Sequence, residues 1–519
     1  MKAIILAAGQ GTRLRPLTDN KPKCMVEFQG KPVIDYLIET FNLCGIDDIV
    51  VVNGYQGDML ESHLEGQNIR FVRNENYDTT NMLHSLFCAE NEMNDDLIIS
   101  YSDIIFSPKA LQTMINSKKD ISVAIDSEWE KLWRIRMEDY ISDVETLKMD
   151  SEGAITEIGQ SPKSIKDIQG QYIGLIRVEK NKIQLIKNCY KILKNKNKRE
   201  RENLFMTDFL QFLINEKIEI SSEMIAGGWI EIDTVEDLDN YNKDLNKLPV
   251  WEWQYLIEDV KEIAKIAGRK IKHHQGKGEI RIKKDNSPVT DADILANQII
   301  EDGLNALDIK YPILSEERVS KNIWEKRKDW ATYWLIDPID GTKEYIKGRK
   351  DYTVNIALIH KNKPVLGVVY VPADEEIYYA SKNWGSFKED LKTNQIKLLK
   401  ESTPAVLLRV ITSRSHKNPR LQRFLKKIPP HRIISMGSSL KLCKVADGKA
   451  DIYPRLGPLS EWDISAAAMI LKEAGGQIYN FEGELITFDT VDGRINSFIA
   501  VSKHYDNIIL NLLQKQQIT

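Results

Sequence analysis

Through the first half of the chain, short unbroken apolar runs alternate with stretches whose apolar positions recur every three or four residues. AIILAA, DIVVVNG and LIISYSD read as strands buried on both faces, and PVIDYLIETFNLCG, between the first two, as an amphipathic helix. Such alternation predicts an α/β fold with crossover connections and a mostly parallel sheet carrying helices on both faces. Ligands of such sheets collect beyond the carboxyl ends of the strands. That is where the first cluster of chemistry-bearing residues falls.

The pattern breaks twice. Around 188–203 the run KNCYKILKNKNKREREN is highly charged and predicts a solvated helix and loop. At 237–254 the composition shifts again, and YLIEDVKEIAKIAGRKI then opens a new helical pattern. A boundary near Pro249 follows, with residues 1–245 as one domain, 246–253 as a linker and 254–519 as a second domain. A chain of 519 residues exceeds what one hydrophobic core usually serves.

Composition narrows the partners. Hydrophobic content of 42%, charged content of 29% and a net charge of −4 describe an ordinary globular protein, with no bulk reason to expect nucleic acid or an anionic membrane. No apolar run approaches a membrane span and no leader pattern opens the chain, so a cytoplasmic location is expected. A homo-oligomer is left open. Cys24, Cys44, Cys88, Cys189 and Cys443 are scattered, odd in number and never in a CxxC pair, which reads as free thiols serving packing.

Leu6-Ala7-Ala8-Gly9-Gln10-Gly11-Thr12-Arg13 follows the first strand. Gly9 and Gly11 let a backbone turn tightly and bring N–H groups to phosphate oxygens. The third glycine of a dinucleotide fingerprint and the GK[ST] of a P-loop are both missing. Arg13 and Lys23 add cations suited to phosphoryl transfer. The set GxGTR-x8-PK, with Asp103 ending LIISYSD and Asp233 in GGWIEIDTVEDL, resembles nucleotidyltransferases that activate sugar phosphates and small phospho-alcohols. The resemblance spans about residues 1–245 and implies a Rossmann-like domain. It also implies that Leu6, Ala8, Gly9, Gly11 and Thr12 hold nucleotide, that Asp103 and Asp233 hold Mg²⁺, and that Arg13 and Lys23 steady the reacting phosphates.

NENYDTTNMLHSL, DVETLK and GQYIGL resemble the phosphocholine and aminoethylphosphonate cytidylyltransferase branch, which favours CTP and a small phosphorylated or phosphonylated acceptor. Asn76, Asn81, Ser85 and Tyr172 are candidate polar or aromatic contacts. Trp129, Trp133 and Tyr172 serve either as an aromatic surface for an amine or as packing.

In the second half, WLIDPIDGTKEY sets Asp337 and Asp340 three residues apart, downstream of DNSPVTDADILAN and ILSEER and upstream of SEWDISAAAMI. Glu316, Asp337, Asp340 and Asp463 are hard oxygen donors of the kind that suits Mg²⁺. Asp-Pro cannot simply run on into a helix, so the turn can aim Asp337, Asp340 and the Ile339 carbonyl at one region. With YTVNIALI, SRSH, GSSLK and YPR, these segments resemble the Mg²⁺-dependent inositol monophosphatase superfamily, in its 3'(2'),5'-bisphosphate nucleotidase (CysQ) branch, over about residues 252–505. The resemblance implies a layered α/β fold. It makes Glu316, Asp337, Ile339, Asp340 and Asp463 metal ligands and sets Asp293 near a third metal or the attacking water. Glu316 and Thr342 would orient and deprotonate that water. His416, Ser439, Lys441 and Arg455 would surround the nucleotide and its non-reacting phosphate. One departure stands out: Ala467 replaces the glycine of WDxAAG, and a Cβ there is expected to narrow the pocket floor.

The chain is thus expected to be bifunctional. One half would transfer CMP from CTP to a small phosphorylated acceptor and release pyrophosphate. The other would be a Mg²⁺-dependent phosphomonoesterase for a substrate such as adenosine 3',5'-bisphosphate. The rival reading pairs a sugar-1-phosphate nucleotidylyltransferase with an inositol or sugar phosphatase of the same surface-glycan pathway.

Overall fold

The computed structural model describes residues 1–194, 204–243, 248, 253–277, 279–282, 288–319, 321–400, 406–414, 419–490 and 492–514. His416, Pro249, most of the 246–253 segment and the end of the 188–203 charged run lie outside these residues. The chain divides into two compact units, Met1–Glu252 and Trp253–Thr519.

The first unit is built on a seven-stranded sheet in the order Ser221–Ile225, Ile121–Asp126, Gln171–Val178, Leu97–Tyr101, Lys2–Ala7, Ile49–Asn53, Ile69–Arg73. All neighbours run parallel except around Gln171–Val178, which is antiparallel to both of its partners. Ile4, Leu6, Val50 and Val52 meet Leu83, Leu86 and Phe87 on one face. Ala3, Ile5 and Val51 on the other face are just as buried, so these strands read as unbroken apolar runs. Beside the sheet, Ile104–Phe106 pairs antiparallel with Trp229–Glu231, and the ladder ends where Ile232 N–H donates to Asp103 O at 2.8 Å. Two aspartates 130 residues apart in sequence are brought side by side by this short ladder.

Among its described residues the second unit holds two large sheets, besides the short antiparallel pair Ile280–Ile282 and Pro288–Thr290. The first runs in chain order through Ile313–Ser315, Thr332–Asp340, Thr353–His360, Lys363–Val371, Glu376–Ser381, Gly385–Asp390 and Gln395–Leu398, parallel only at its first pair. The second is ordered His431–Met436, Leu408–Ser413, Ile452–Ser460, Arg494–Val501, Gln477–Tyr479. Residues of both sheets share one core with the Leu440–Ala446 and Ser465–Glu473 helices, which gives the layered α/β arrangement. Gly367 permits the closest approach, since a Cβ there would lie 2.3 Å from the Ala466 carbonyl oxygen. Ala467 is fully buried in this core and does not line the acidic cleft described below, so its Cβ narrows no pocket floor.

Candidate active sites

In the first unit the turn after Lys2–Ala7 carries Gly11 at φ +61°, where an added Cβ would press to 2.9 Å of the Lys23 Cβ. Glycine is required there by both conformation and space. Leu6 and Ala8 are buried, whereas Gly9, Thr12 and Arg13 are exposed. Lys23 Nζ donates to Asp103 Oδ2 at 2.6 Å and to Asp233 Oδ1 at 2.5 Å, and Arg13 Nη1 lies 2.5 Å from Asp233 Oδ2. Burial alone would lower the Lys23 pKa; the charges of Asp103, Asp233 and Glu231 outweigh it and hold the ammonium above its usual range. Asp103 Oδ1 is buried without a hydrogen-bond partner, a free carboxylate oxygen of the kind a divalent cation takes.

Several supports of this site carry no motif. Asp237 Oδ2 accepts the N–H groups of Asp233 and Thr234, both at 2.9 Å, and Arg136 Nε donates to Asp237 Oδ1 at 3.0 Å. Arg136 Nη1 also donates to Glu231 Oε2 at 2.6 Å. Burial raises the Glu231 pKa to about 7 against the lowering pull of Arg136. The only sequence signal for this network was TVEDL, in which Asp237 follows Asp233 by one helical turn. Asn74 was also missed. Its amide donates to Ser85 Oγ and Thr80 Oγ1, each at 3.0 Å, so the buried Ser85 hydroxyl serves the fold rather than a ligand.

Asn81 caps the Met82–Cys88 helix by accepting from Met82 N–H, and Asn76 O accepts the Thr80 hydroxyl at 2.7 Å. Trp129 and Trp133 are buried, the latter tilted against Trp229 at 5.9 Å, which decides for packing over an open aromatic surface. Tyr172 is half-buried and edge-on to Tyr101. The Cys24 thiol beside Lys23 is pushed up to about 12 by burial and stays uncharged, as a packing residue should.

In the second unit the Thr332–Asp340 strand slips register against Thr353–His360: Asp337 faces Asn355 and Asp340 faces Thr353. Three residues therefore span two on the partner strand, a bulge that redirects side chains which a regular pleat would send to opposite faces. Asp337 and Asp340 both line one cleft of about 300 Å³, with Glu316, Ile339, Thr342, Glu344, Lys441, Arg455 and Asp463. Oxygens of Glu316, Asp337 and Asp463 lie within 4.8 Å of one another. Burial raises the pKa of Asp337 well above the carboxylate range, and the charges of Glu316, Asp340 and Asp463 add to it. Asp463 is raised in the same way. Acids this close and this buried are stable as anions only beside cations, and their all-oxygen donor set fits Mg²⁺.

Asp340 stands beside that trio, its carboxylate accepting the Ser439 N–H. Burial and Glu316 push it up to about 6 against the lowering pull of Lys441. Burial lowers the Lys441 pKa to about 8, and its ammonium donates to Ser438 O. Thr342 Oγ1 lies 3.1 Å from Ile339 O and 3.4 Å from Asp293 Oδ1, while Asp293 Oδ2 accepts the N–H and hydroxyl of Thr290 as a helix cap. One carboxylate thus serves both the fold and the threonine. Ser439 also lines the cleft; its hydroxyl is buried between Asn355 Oδ1 and Thr353 Oγ1, and its N–H donates to Asp340. Glu344, which lies within WLIDPIDGTKEY without a role given to it there, also lines the cleft.

Comparison with known proteins finds relatives for both units. The model for the inositol monophosphatase family matches residues 252–517, and that for the MobA-like NTP transferase domain matches residues 3–155. The chain is 42% identical over 252 residues to CTP:phosphoglutamine cytidylyltransferase of Campylobacter jejuni, covering 46% of this chain and 98% of that protein. It is 40% identical over 250 residues to 3'(2'),5'-bisphosphate nucleotidase CysQ of Salmonella typhimurium, covering 48% of this chain and 99% of that one. The crystal structure of CysQ from Bacteroides thetaiotaomicron superposes with a TM-score of 0.44 at 33% identity, over 48% of this chain and 98% of that chain. The sugar-phosphate alternative gains no greater support from these relatives. The chain belongs to the inositol monophosphatase family and fuses a CysQ-like bisphosphate nucleotidase domain to a cytidylyltransferase-like domain.

Proposed function

We propose that the first unit transfers CMP from CTP to a phosphoglutamine-like acceptor. An acceptor phosphate oxygen attacks the α-phosphorus, the bond to the β-phosphate oxygen breaks, and pyrophosphate leaves. The pairing of Lys23 with both Asp103 and Asp233 carries this reading, because it sets one cation and two hard carboxylates at the strand end beside an exposed glycine turn. Lys23 and Arg13 bind and orient the phosphates, and Asp103 and Asp233 would hold Mg²⁺. The relative named for phosphoglutamine favours that acceptor over phosphocholine. Pyrophosphate release with CTP and a panel of phosphorylated amides, amines and alcohols tests it. Equal rates with UTP, or none with any phosphorylated amide, would defeat it.

The second unit hydrolyses a nucleoside 3',5'-bisphosphate. Lys441 and Arg455 line the same cleft as the acidic cluster, so one site offers cations for a spectator phosphate and acids for the reacting one. Glu316, Asp337, Asp340, Asp463 and the Ile339 carbonyl would hold Mg²⁺, which when bound neutralises the phosphate and lowers the pKa of a coordinated water. Thr342 orients the attacking water and relays its proton towards Asp293 or Glu316; the phosphorus–ester oxygen bond then breaks, and the leaving ribose oxygen takes up a proton from solvent water. Among the described residues no helix is long and apolar enough to cross a membrane. Phosphate release from adenosine 3',5'-bisphosphate, compared with inositol and sugar phosphates, is the check; a preference for the latter would overturn the assignment.

A further inference from the structure

The second unit contains another concavity, of about 1030 Å³, that the phosphatase reading does not use. It lies behind the phosphatase cleft: on the Ile452–Ser460 strand Arg455 lines the cleft and the next residue, Leu456, lines this cavity, as the alternation of a strand dictates. Its walls are basic. Arg423, Lys426 and Lys427 come from the Pro419–Leu425 helix and the turn after it, and Arg494 from the start of a separate strand. Among the described residues none of these four side chains forms an ion pair. All four are exposed, so their charges are open to a ligand from solvent.

The same cavity has an apolar side, formed by Phe481, anchored edge-on to Phe424 at 5.9 Å, and by Leu485, which is 57% exposed. Two carboxylates, Glu482 and Glu484, are exposed acceptors on its rim, the second already taking the Asn480 amide at 3.0 Å. Cations facing from two elements suit phosphates, an aromatic and aliphatic wall suits a base, and a carboxylate suits ribose hydroxyls or an exocyclic amine. A solvated basic surface would need neither the concavity nor the apolar wall. Its volume is that of a small-molecule site.

We propose that this cavity is a binding site for a nucleoside polyphosphate, separate from both reaction sites. The test is calorimetric titration of the full chain with ATP, which neither proposed reaction consumes, beside inorganic tripolyphosphate and a polyglutamate peptide. Arg423→Glu/Lys427→Glu is expected to weaken ATP binding by at least about tenfold, as loss of charge-assisted contacts does, while phosphate release measured without ATP is retained. Arg423→Ala/Lys427→Ala, with an unchanged unfolding midpoint, guards against a folding defect. The proposal is overturned if the variants bind ATP like the wild type, if tripolyphosphate binds as tightly as ATP, or if the peptide binds in preference to it.

Discussion

The Lys23 ammonium lies 2.6 Å from Asp103 Oδ2, joining the loop after the first strand to the end of the fourth across the mouth of the first site. In the proposed reaction that cation is aimed where phosphate charge develops. Lys23→Met is therefore expected to lower pyrophosphate release by about 10²–10³-fold, the usual loss of one preorganised donor. Lys23→Arg should recover only part of it, because a planar guanidinium cannot occupy the compact gap between two carboxylates. Steady-state kcat with CTP checks both.

Arg136 and Asp237 form a buried pair beneath Asp233. Arg136→Met leaves Asp237 and Glu231 uncompensated and is expected to destabilise the first unit by about 3–5 kcal/mol, as breaking a buried pair does. Denaturant unfolding followed in that unit gives the value. The double variant Arg136→Met/Asp237→Asn should be less destabilised than the single one, since only Glu231 is then left without the guanidinium.

Gly341 sits at φ +94°, and a Cβ there would lie 2.8 Å from Asp351 O. Gly341→Ala is expected to cost about 1–3 kcal/mol in the second unit through strain and to displace Thr342 with it. A lowered unfolding midpoint together with a lowered phosphatase kcat would show both effects.

Much of this was legible in the sequence. The apolar runs gave the central parallel strands, and the Asp-Pro step predicts a turn that aims Asp337 and Asp340 at one region; the structure does this with a bulge inside one strand instead. Burial was not legible. Nothing local tells Ser439, whose hydroxyl is locked to Asn355, from a serine facing substrate, nor Trp133 in the core from an aromatic cage. Arg136 escaped notice for the same reason: the two carboxylates it donates hydrogen bonds to lie about a hundred residues away, and long-range pairing leaves no periodic trace.

Asp340 makes the second unit sensitive to pH when chelator is present. Its folded pKa, about 6, lies above that of the unfolded chain, so the folded state binds the extra proton. The resulting stability is complete below the unfolded value near 4 and is lost as pH rises through about 6. With EDTA, the wild type should therefore lose stability relative to Asp340→Asn between about pH 4 and 7. Mg²⁺ should reverse the loss at the upper end. Thermal midpoints of the two proteins across that range, with and without Mg²⁺, read it directly.

The account rests on two independent reaction sites in one chain. Pyrophosphate release and phosphate release, measured on the same preparations of full-length Asp103→Ala and Asp340→Ala, test it most directly. Asp103→Ala should lose the first activity and keep the second, and Asp340→Ala the reverse. If Asp103→Ala still releases pyrophosphate, or Asp340→Ala still releases phosphate, at the wild-type rate, the account is contradicted.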